Sequence, residues 1–247
     1  APALQSAKTV HVGGYHFPPF VEVGKDARPH GLTLDLIELF NSAQSEWKLE
    51  FALIEPPARY EAMRSGQIDA IFFESKAWGW GDDSPVLTSQ PFLEGGERLI
   101  ALAQPGRTQA YFNDLKPKHI VARRGYHYGF AGRVADPEQL RRIFPKLGLT
   151  DDSKANLQQV LAGSADVTIL SEEHLGRLAV DDPTLLPKLL VSTVRDQTVH
   201  HTILVRSEGP IDAVWVDQVI EKLRGDRRLA GLWERYGIGG QGTPVRP

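Results

Sequence analysis

The stretch ARYEAMRSGQIDAIFF, Ala58–Phe73, changes character half-way along, and its reading decides the fold. ARYEAMRSG reads as a short helix ended by Gly66, because glycine enters the left-handed conformation that closes helices at little steric cost. IDAIFF then reads as a strand, a short apolar run rich in branched and aromatic residues. Upstream, KLEFALI reads as another strand. GLTLDLIELFNSAQ precedes it, with Leu34, Ile37 and Phe40 at helical spacing and Thr33 or Asp35 placed to cap the start. TVHVGGY is a first strand that stops at glycines. Strand, helix, strand, helix, strand is the grammar of a parallel sheet with helices on its faces.

The same grammar returns after RLIALAQPGRT. HIVARRGYHYG is a strand ending in a glycine turn. DPEQLRRIFPKLG is a helix with Asp136 and Pro137 at its start, and NLQQVLAGSA is another. DVTILS, SEEHLGRLAV and HHTILVRS continue as strand, helix and strand. IDAVWVDQVIEKLRGDRRLAGLWERYGI supplies one or two amphipathic helices, with Val214, Ile220 and Leu223 expected on the buried stripe. The tail GGQGTPVRP is rich in glycine and proline, a composition that favours fraying. The fold class expected is α/β in two lobes.

Composition narrows the function. The chain of 247 residues is 41% hydrophobic and 24% charged, which is enough to build one large domain or two small ones. No apolar run approaches the roughly 18–20 residues that span a bilayer, so a membrane-embedded chain is not expected. A net charge of −3 argues against a nucleic-acid footprint, which would be a basic face. Cysteine is absent, which removes disulfides, thiol catalysis and zinc-thiolate sites together. Phosphate loops with a lysine, HExxH, GxSxG elbows and GxGxxG after a strand are absent as well. His200 and His201 are adjacent, so on a strand they point to opposite faces and do not share a metal. No metal and no organic cofactor is therefore expected. The opening APALQSAKTV fits a chain trimmed after an Ala-x-Ala-like signal-peptidase site, and so an exported protein.

Four strand ends carry chemistry. GGYHFPPFVE follows the first strand with Tyr15, Phe17 and Phe20 on a turn stiffened by two prolines. FFESKAWGW follows the third with Phe73, Glu74, Ser75, Trp78 and Trp80. RRGYHYG and ILSEE end two strands of the second half with Arg124, Tyr126 and His127, and with Ser171 and Glu172. Ligands of open α/β sheets bind beyond the carboxyl ends of strands, where rigid aromatics stack with little entropy to lose. Any one of these aromatics could equally cap the core.

In order and spacing, VHVGGYHFPPFVE, GLTLDLIELF, YEAMRSGQIDAIFF, LQQVLAGSADVTIL and KLRGDRRLAGLWERYGI together resemble a periplasmic solute-binding protein of the polar-amino-acid type, the bacterial extracellular solute-binding protein family 3. Such a protein is the receptor component of an ABC importer. The resemblance implies the type II periplasmic-binding-protein fold, with two lobes crossed twice by the chain. Lobe one would be residues 1–102 plus 203–247 and lobe two 103–202, with crossings near LIALA and TILVR. It further implies a monomer that closes on a small polar solute (an amino acid, an amine or a related compound) in the periplasm. The closed form would then dock on a membrane permease.

Three positions depart from the family pattern. SKAWGWGDDSP has no arginine where the family usually clamps an α-carboxylate. Ser171, followed by Glu172 and Glu173, stands where an aspartate usually holds the α-amino group. Gly125-Tyr126-His127 replaces a Gly-Thr-Thr segment. Glu74 with Trp78 or Trp80 then reads as an acidic, aromatic wall suited to a cation. Alternatively, Glu74 pairs with Lys76 or Arg59, or Arg59 and Arg124 rebuild an anion clamp. On the first reading Glu74→Gln weakens ligand binding by about 1.5–3 kcal/mol with little loss of unliganded stability. The rival functions are a cyclohexadienyl-dehydratase-like enzyme on the same fold, using Glu172, Glu74 or His127, and a soluble partner of a sensor kinase.

Overall fold

A computed structural model describes residues 8–26 and 28–238, so the segment APALQSA and the tail GGQGTPVRP lie outside the described residues. Strand β1, Lys8–Gly14, is followed by the two-residue strands β2, Glu22–Val23, and β3, Pro29–His30, which pair with each other. Helix α1, Leu32–Ala43, leads to β4, Trp47–Leu53; helix α2, Arg59–Ser65, leads to β5, Ala70–Glu74; and β6, Val86–Thr88, follows. The chain then runs through β7, Leu93–Leu102, β8, Ile120–Arg123, α3, Pro137–Ile143, β9, Gly148–Thr150, α4, Ser153–Leu161, and β10, Val167–Ser171. Helix α5, Glu172–Asp181, and strand β11, Leu189–Val191, precede the long strand β12, Gln197–Arg206. Helices α6, Ala213–Gly225, and α7, Arg228–Arg235, close the order.

Two compact units result. Among the described residues, one takes the chain from Lys8 to Leu93 and His200–Arg235; the other takes Glu94–Val199 and residues 236–238. Both crossings fall earlier than LIALA and TILVR. Leu99 and Ile100 are buried among second-unit residues, and Leu204 is buried in a first-unit cluster.

In the first unit β1 is central and parallel to both β4 and β5. β12 joins β5 antiparallel, and β6 joins β12. Helix α1 packs on α6 and α7. Its first turn needs neither Thr33 nor Asp35 as a cap. Gly31, at φ 128°, brings the helix start against the preceding turn, and the Leu32 and Thr33 N–H groups donate to the Pro19 and Phe20 carbonyls. On α6 the buried stripe is Val216, Val219, Ile220 and Leu223, whereas Val214 is 64% exposed; the helix is turned so that its apolar arc begins at Val216.

In the second unit the order is β11-β7-β10-β8-β9, with β8 parallel to β10 and β9, and β7 antiparallel to β10 and β11. Asp136 and Asp152 cap α3 and α4 by accepting first-turn N–H groups.

One device appears in both units. Asp69, just before β5, accepts the His11 N–H on Oδ2 at 2.9 Å while its own N–H donates to the His11 carbonyl at 2.7 Å. Asp166, just before β10, repeats this with His119 at 2.8 and 2.9 Å. Each aspartate locks the entry of one parallel strand to its neighbour. Among the described residues no helix is long and apolar enough to cross a membrane.

Candidate functional site

β1 and β5 are parallel neighbours in the first unit, so the segments leaving their carboxyl ends emerge on one edge. They meet there. Tyr15 stacks on Phe17 with ring centroids 5.9 Å apart, and Phe17 meets Trp78 edge-on at 5.9 Å. Phe20 packs on Phe73 at 4.7 Å and on His201 at 4.8 Å. His201 is buried and His200 exposed, the opposite facing expected of neighbours on a strand.

Inside this aromatic shell lies an ion pair. Glu74 is 0% exposed and Arg59, the first residue of α2, is 2% exposed; Arg59 Nε is 3.0 Å from Glu74 Oε2. The Tyr15 hydroxyl donates to the carboxylate at 3.4 Å and the Ser75 N–H at 3.2 Å. Arg59 also donates to the Pro56 carbonyl at 2.6 Å and to the Trp78 carbonyl at 3.3 Å. Its guanidinium lies over the Tyr15 ring at 4.9 Å and the Tyr60 ring at 4.5 Å. The Tyr60 hydroxyl donates to the same Trp78 carbonyl at 2.5 Å. Burial pushes the Glu74 carboxyl up; the Arg59 charge, the Ser75 N–H and the Tyr15 hydroxyl pull it back, and the balance stays above the ordinary value.

Seven of the eight first-unit candidates (Tyr15, Phe20, Arg59, Phe73, Glu74, Ser75 and Trp78) thus come together. Trp80 does not join them. Its ring packs with Ile54, Met63, Ile68 and Tyr60 in the core. Of the two cations considered for Glu74, Arg59 pairs with it and Lys76 is exposed.

The five second-unit candidates are more dispersed. Arg124 is exposed, donates to the Leu149 carbonyl at 3.3 Å and pairs with Asp151 at 3.6 Å. Its neighbour Arg123 is the buried one, 4% exposed, with Nη1 donating to Ser153 Oγ at 3.1 Å and its guanidinium 4.8 Å from the Tyr126 ring centre. Nothing in the dipeptide distinguishes the two; only the register of β8 does. His127 Nδ1 is 2.9 Å from the Arg133 carbonyl. Ser171 caps α5 by accepting the His174 N–H at 3.0 Å. Glu172 is gripped by two arginines: Arg98 Nε at 2.8 Å, Arg195 Nε at 2.6 Å and Arg195 Nη2 at 3.0 Å. Burial raises its carboxyl, but the hydrogen bond from Arg195 and the charges of both arginines bring it below the ordinary value.

Deeper in this unit lie two acids that the sequence did not flag. Glu97, on β7, is pushed up to about 8 by burial, although Gln197 Nε2 donates to it at 2.9 Å. Asp196 is pushed up to about 6 by burial, although it accepts the Gly129 N–H at 2.8 Å. Both belong to stretches, LEGGERL and STVRDQ, that look like ordinary solvated charge. Among the described residues no group of three or more histidines and carboxylates is placed to hold a metal ion.

No family model matches the chain, and no curated protein matches it by sequence. Solved structures do match. A substrate-binding protein of an ABC uptake transporter from Streptococcus pneumoniae, with bound histidine, aligns at 17% identity over 94% of this chain and 95% of its own, with a TM-score of 0.74. The ligand-binding core of GluR0 in complex with L-glutamate aligns at 19% identity over 94% and 98%, with a TM-score of 0.69. The fold is that of the type II periplasmic binding proteins. An ancestral amino-acid-binding protein, described as a precursor of cyclohexadienyl dehydratase, shares this binding-protein fold at 17% identity over 92% and 94%, with a TM-score of 0.65. The binding-protein fold agrees with what the sequence resemblance implied.

Proposed function

We propose that the chain is a solute receptor. It captures a small polar solute, an amino acid, an amine or a related compound, by closing its two units on it, and presents the closed form to the permease of an ABC importer in the periplasm. One observation carries the reading: the sealed Arg59–Glu74 pair walled by Tyr15, Phe17 and Trp78 at the carboxyl ends of two parallel strands. Proteins rarely place a charge pair among aromatics at a strand edge for stability alone, because desolvation offsets most of the attraction. The placement follows the rule for ligands of open sheets, and a hinge motion between two units is a common way to enclose a solute.

The charge of the solute is read differently from the sequence expectation. A cationic solute was favoured because unpaired acids need a counter-charge. Here Arg59 serves Glu74, and Arg98 and Arg195 serve Glu172. A zwitterion or a neutral polar solute therefore meets no electrostatic penalty from these acids.

A thermal-shift panel of amino acids, amines, polyamines and organic acids tests the reading. A solute at a hundred times its Kd adds roughly 2.7 kcal/mol to stability, a shift of several degrees. A panel in which no compound raises Tm defeats it. The raised carboxyls of Glu97 and Asp196 favour a second reading, a dehydratase-type enzyme, since perturbed acids accumulate at catalytic sites. Appearance of an aromatic product from a carboxylated cyclohexadiene incubated with the chain would establish that instead. Neither outcome bears on a sensor-kinase partner, which a reconstituted permease, responding or silent, separates from transport.

A further inference from the structure

Glu74 lies on the wrong face for a regular strand. Along β5, Ile71 packs with Ala62 and Met63 of α2, and Phe72 packs on Phe40 of α1 with ring centroids 5.1 Å apart. Strict alternation would send Phe73 back toward α2 and Glu74 toward α1. The reverse is found. Phe73 lies on the α1 side with Phe72, its ring 6.0 Å from that of Trp233 on α7, and Glu74 meets Arg59 on the α2 side.

The ladder shows where the parity changes. Ile71 pairs with Leu204 and Glu74 pairs with Thr202, so Phe72 and Phe73 together oppose the single residue Ile203. That is a β-bulge, an insertion that bends a strand and re-aims the side chains after it. Its second residue, Phe73, has φ 55°, in the left-handed region that bulky residues seldom occupy. The Thr202 hydroxyl donates to the Glu74 carbonyl at 2.8 Å and fixes the far side of the bulge. The Phe73 ring is wedged between Phe20, Phe92, His201 and Trp233.

We infer that Phe73 is a positioning residue: its left-handed backbone turns Glu74 from the α1 face of the sheet to the α2 face, where Arg59 and Tyr15 receive it. The purpose of that placement rests on the solute-receptor reading; the geometry does not. Backbone and ring have separable parts here. Turning the chain needs only a residue that tolerates positive φ, whereas the aromatic ring supplies packing around a turn that another residue could make.

The test follows the Arg59 Nε–H resonance of the full 15N-labelled chain, assigned by its loss in Arg59→Lys and its shift in Glu74→Gln. Phe73→Gly keeps the turn without steric cost, and Phe73→Asn tolerates it. In both the resonance is expected at its native position despite the lost ring. Phe73→Ile carries a branched Cβ that opposes the turn, and there the resonance is expected to disappear. A native resonance in folded Phe73→Ile overturns the proposal. So does its loss in folded Phe73→Gly or Phe73→Asn, which would make the ring the support. If Phe73→Ile does not fold, the glycine and asparagine variants decide. No solute enters the measurement, so a panel of L-histidine, L-arginine, L-glutamate and spermidine that fails to stabilise the chain sinks the receptor reading and leaves this result intact.

Discussion

Arg59 and Glu74 are each sealed from water, so removing either leaves the other's charge buried without its partner. Glu74→Gln is expected to lower unliganded stability by about 3–5 kcal/mol in urea unfolding. Replacing both residues together with apolar ones of similar size should recover most of that loss. The cationic-solute reading of the sequence implied the opposite, an unliganded protein indifferent to Glu74→Gln; its alternative, Glu74 paired with Arg59, is the arrangement that α2 delivers at the end of β5. Glu97 gives a second expectation, with a sign. Its carboxyl rises from 4.5 to about 8 on folding, so between those values the folded chain holds a proton that the unfolded chain releases. The contribution of Glu97 is fully present below about pH 4.5 and lost as pH rises through about 8, with a slope of about 1.4 kcal/mol per pH unit between. Chemical denaturation above about pH 6, beyond the Asp196 transition, should show it up to about pH 8, and Glu97→Gln should flatten it there. An equal slope in the variant would mean that Glu97 does not hold that proton.

Most elements were legible where periodicity ran long enough to be read, although the long β7, Leu93–Leu102, entered the reading only as a crossing near LIALA. β1, α1, β4, α2 and β5 follow from the apolar spacing and from Gly66, and α3 to α6 follow from their spacing, with Asp136 marking the start of α3; the caps Asp152, Ser171 and Asp212 emerge only in the structure. The three-residue strands β6, β9 and β11 were not visible, because so few side chains carry no period and their pairing with longer neighbours decides them. The cap of α1 was misplaced for a related reason: carbonyls of the Pro19–Phe20 turn, distant in reading but adjacent in space, do that work. Ser171 illustrates a residue whose element explains it. It caps α5, so Ser171→Ala should cost about 1 kcal/mol in denaturant unfolding while Ser171→Asp, another good cap, retains stability. If alanine were tolerated without loss, the hydrogen bond to His174 would carry no weight.

At the level of the whole molecule the two-unit α/β organisation was readable, since the strand–helix grammar appears twice and the Asp69 and Asp166 locks repeat with it. The candidate site was readable only in part. Tyr15, Glu74 and Trp78 were reachable from strand ends, but the bulge at Phe73 and the choice of Arg123 over Arg124 depend on register, which side-chain identity alone does not set. The two units also differ in how they are threaded. Nearly all the described residues of one form the single run Glu94–Val199, whereas the other is assembled from two separate stretches, the one that ends at Leu93 and His200–Arg235. On a ribosome the consequence is an order of events. The run from Glu94 can close as soon as Val199 has left the exit tunnel, while β1, β4 and β5, made first, must wait for β12 and for α6 and α7. Until then Ile71 lacks Leu204 and Phe73 lacks His201 and Trp233, so the earlier-made unit is the one most in need of a chaperone.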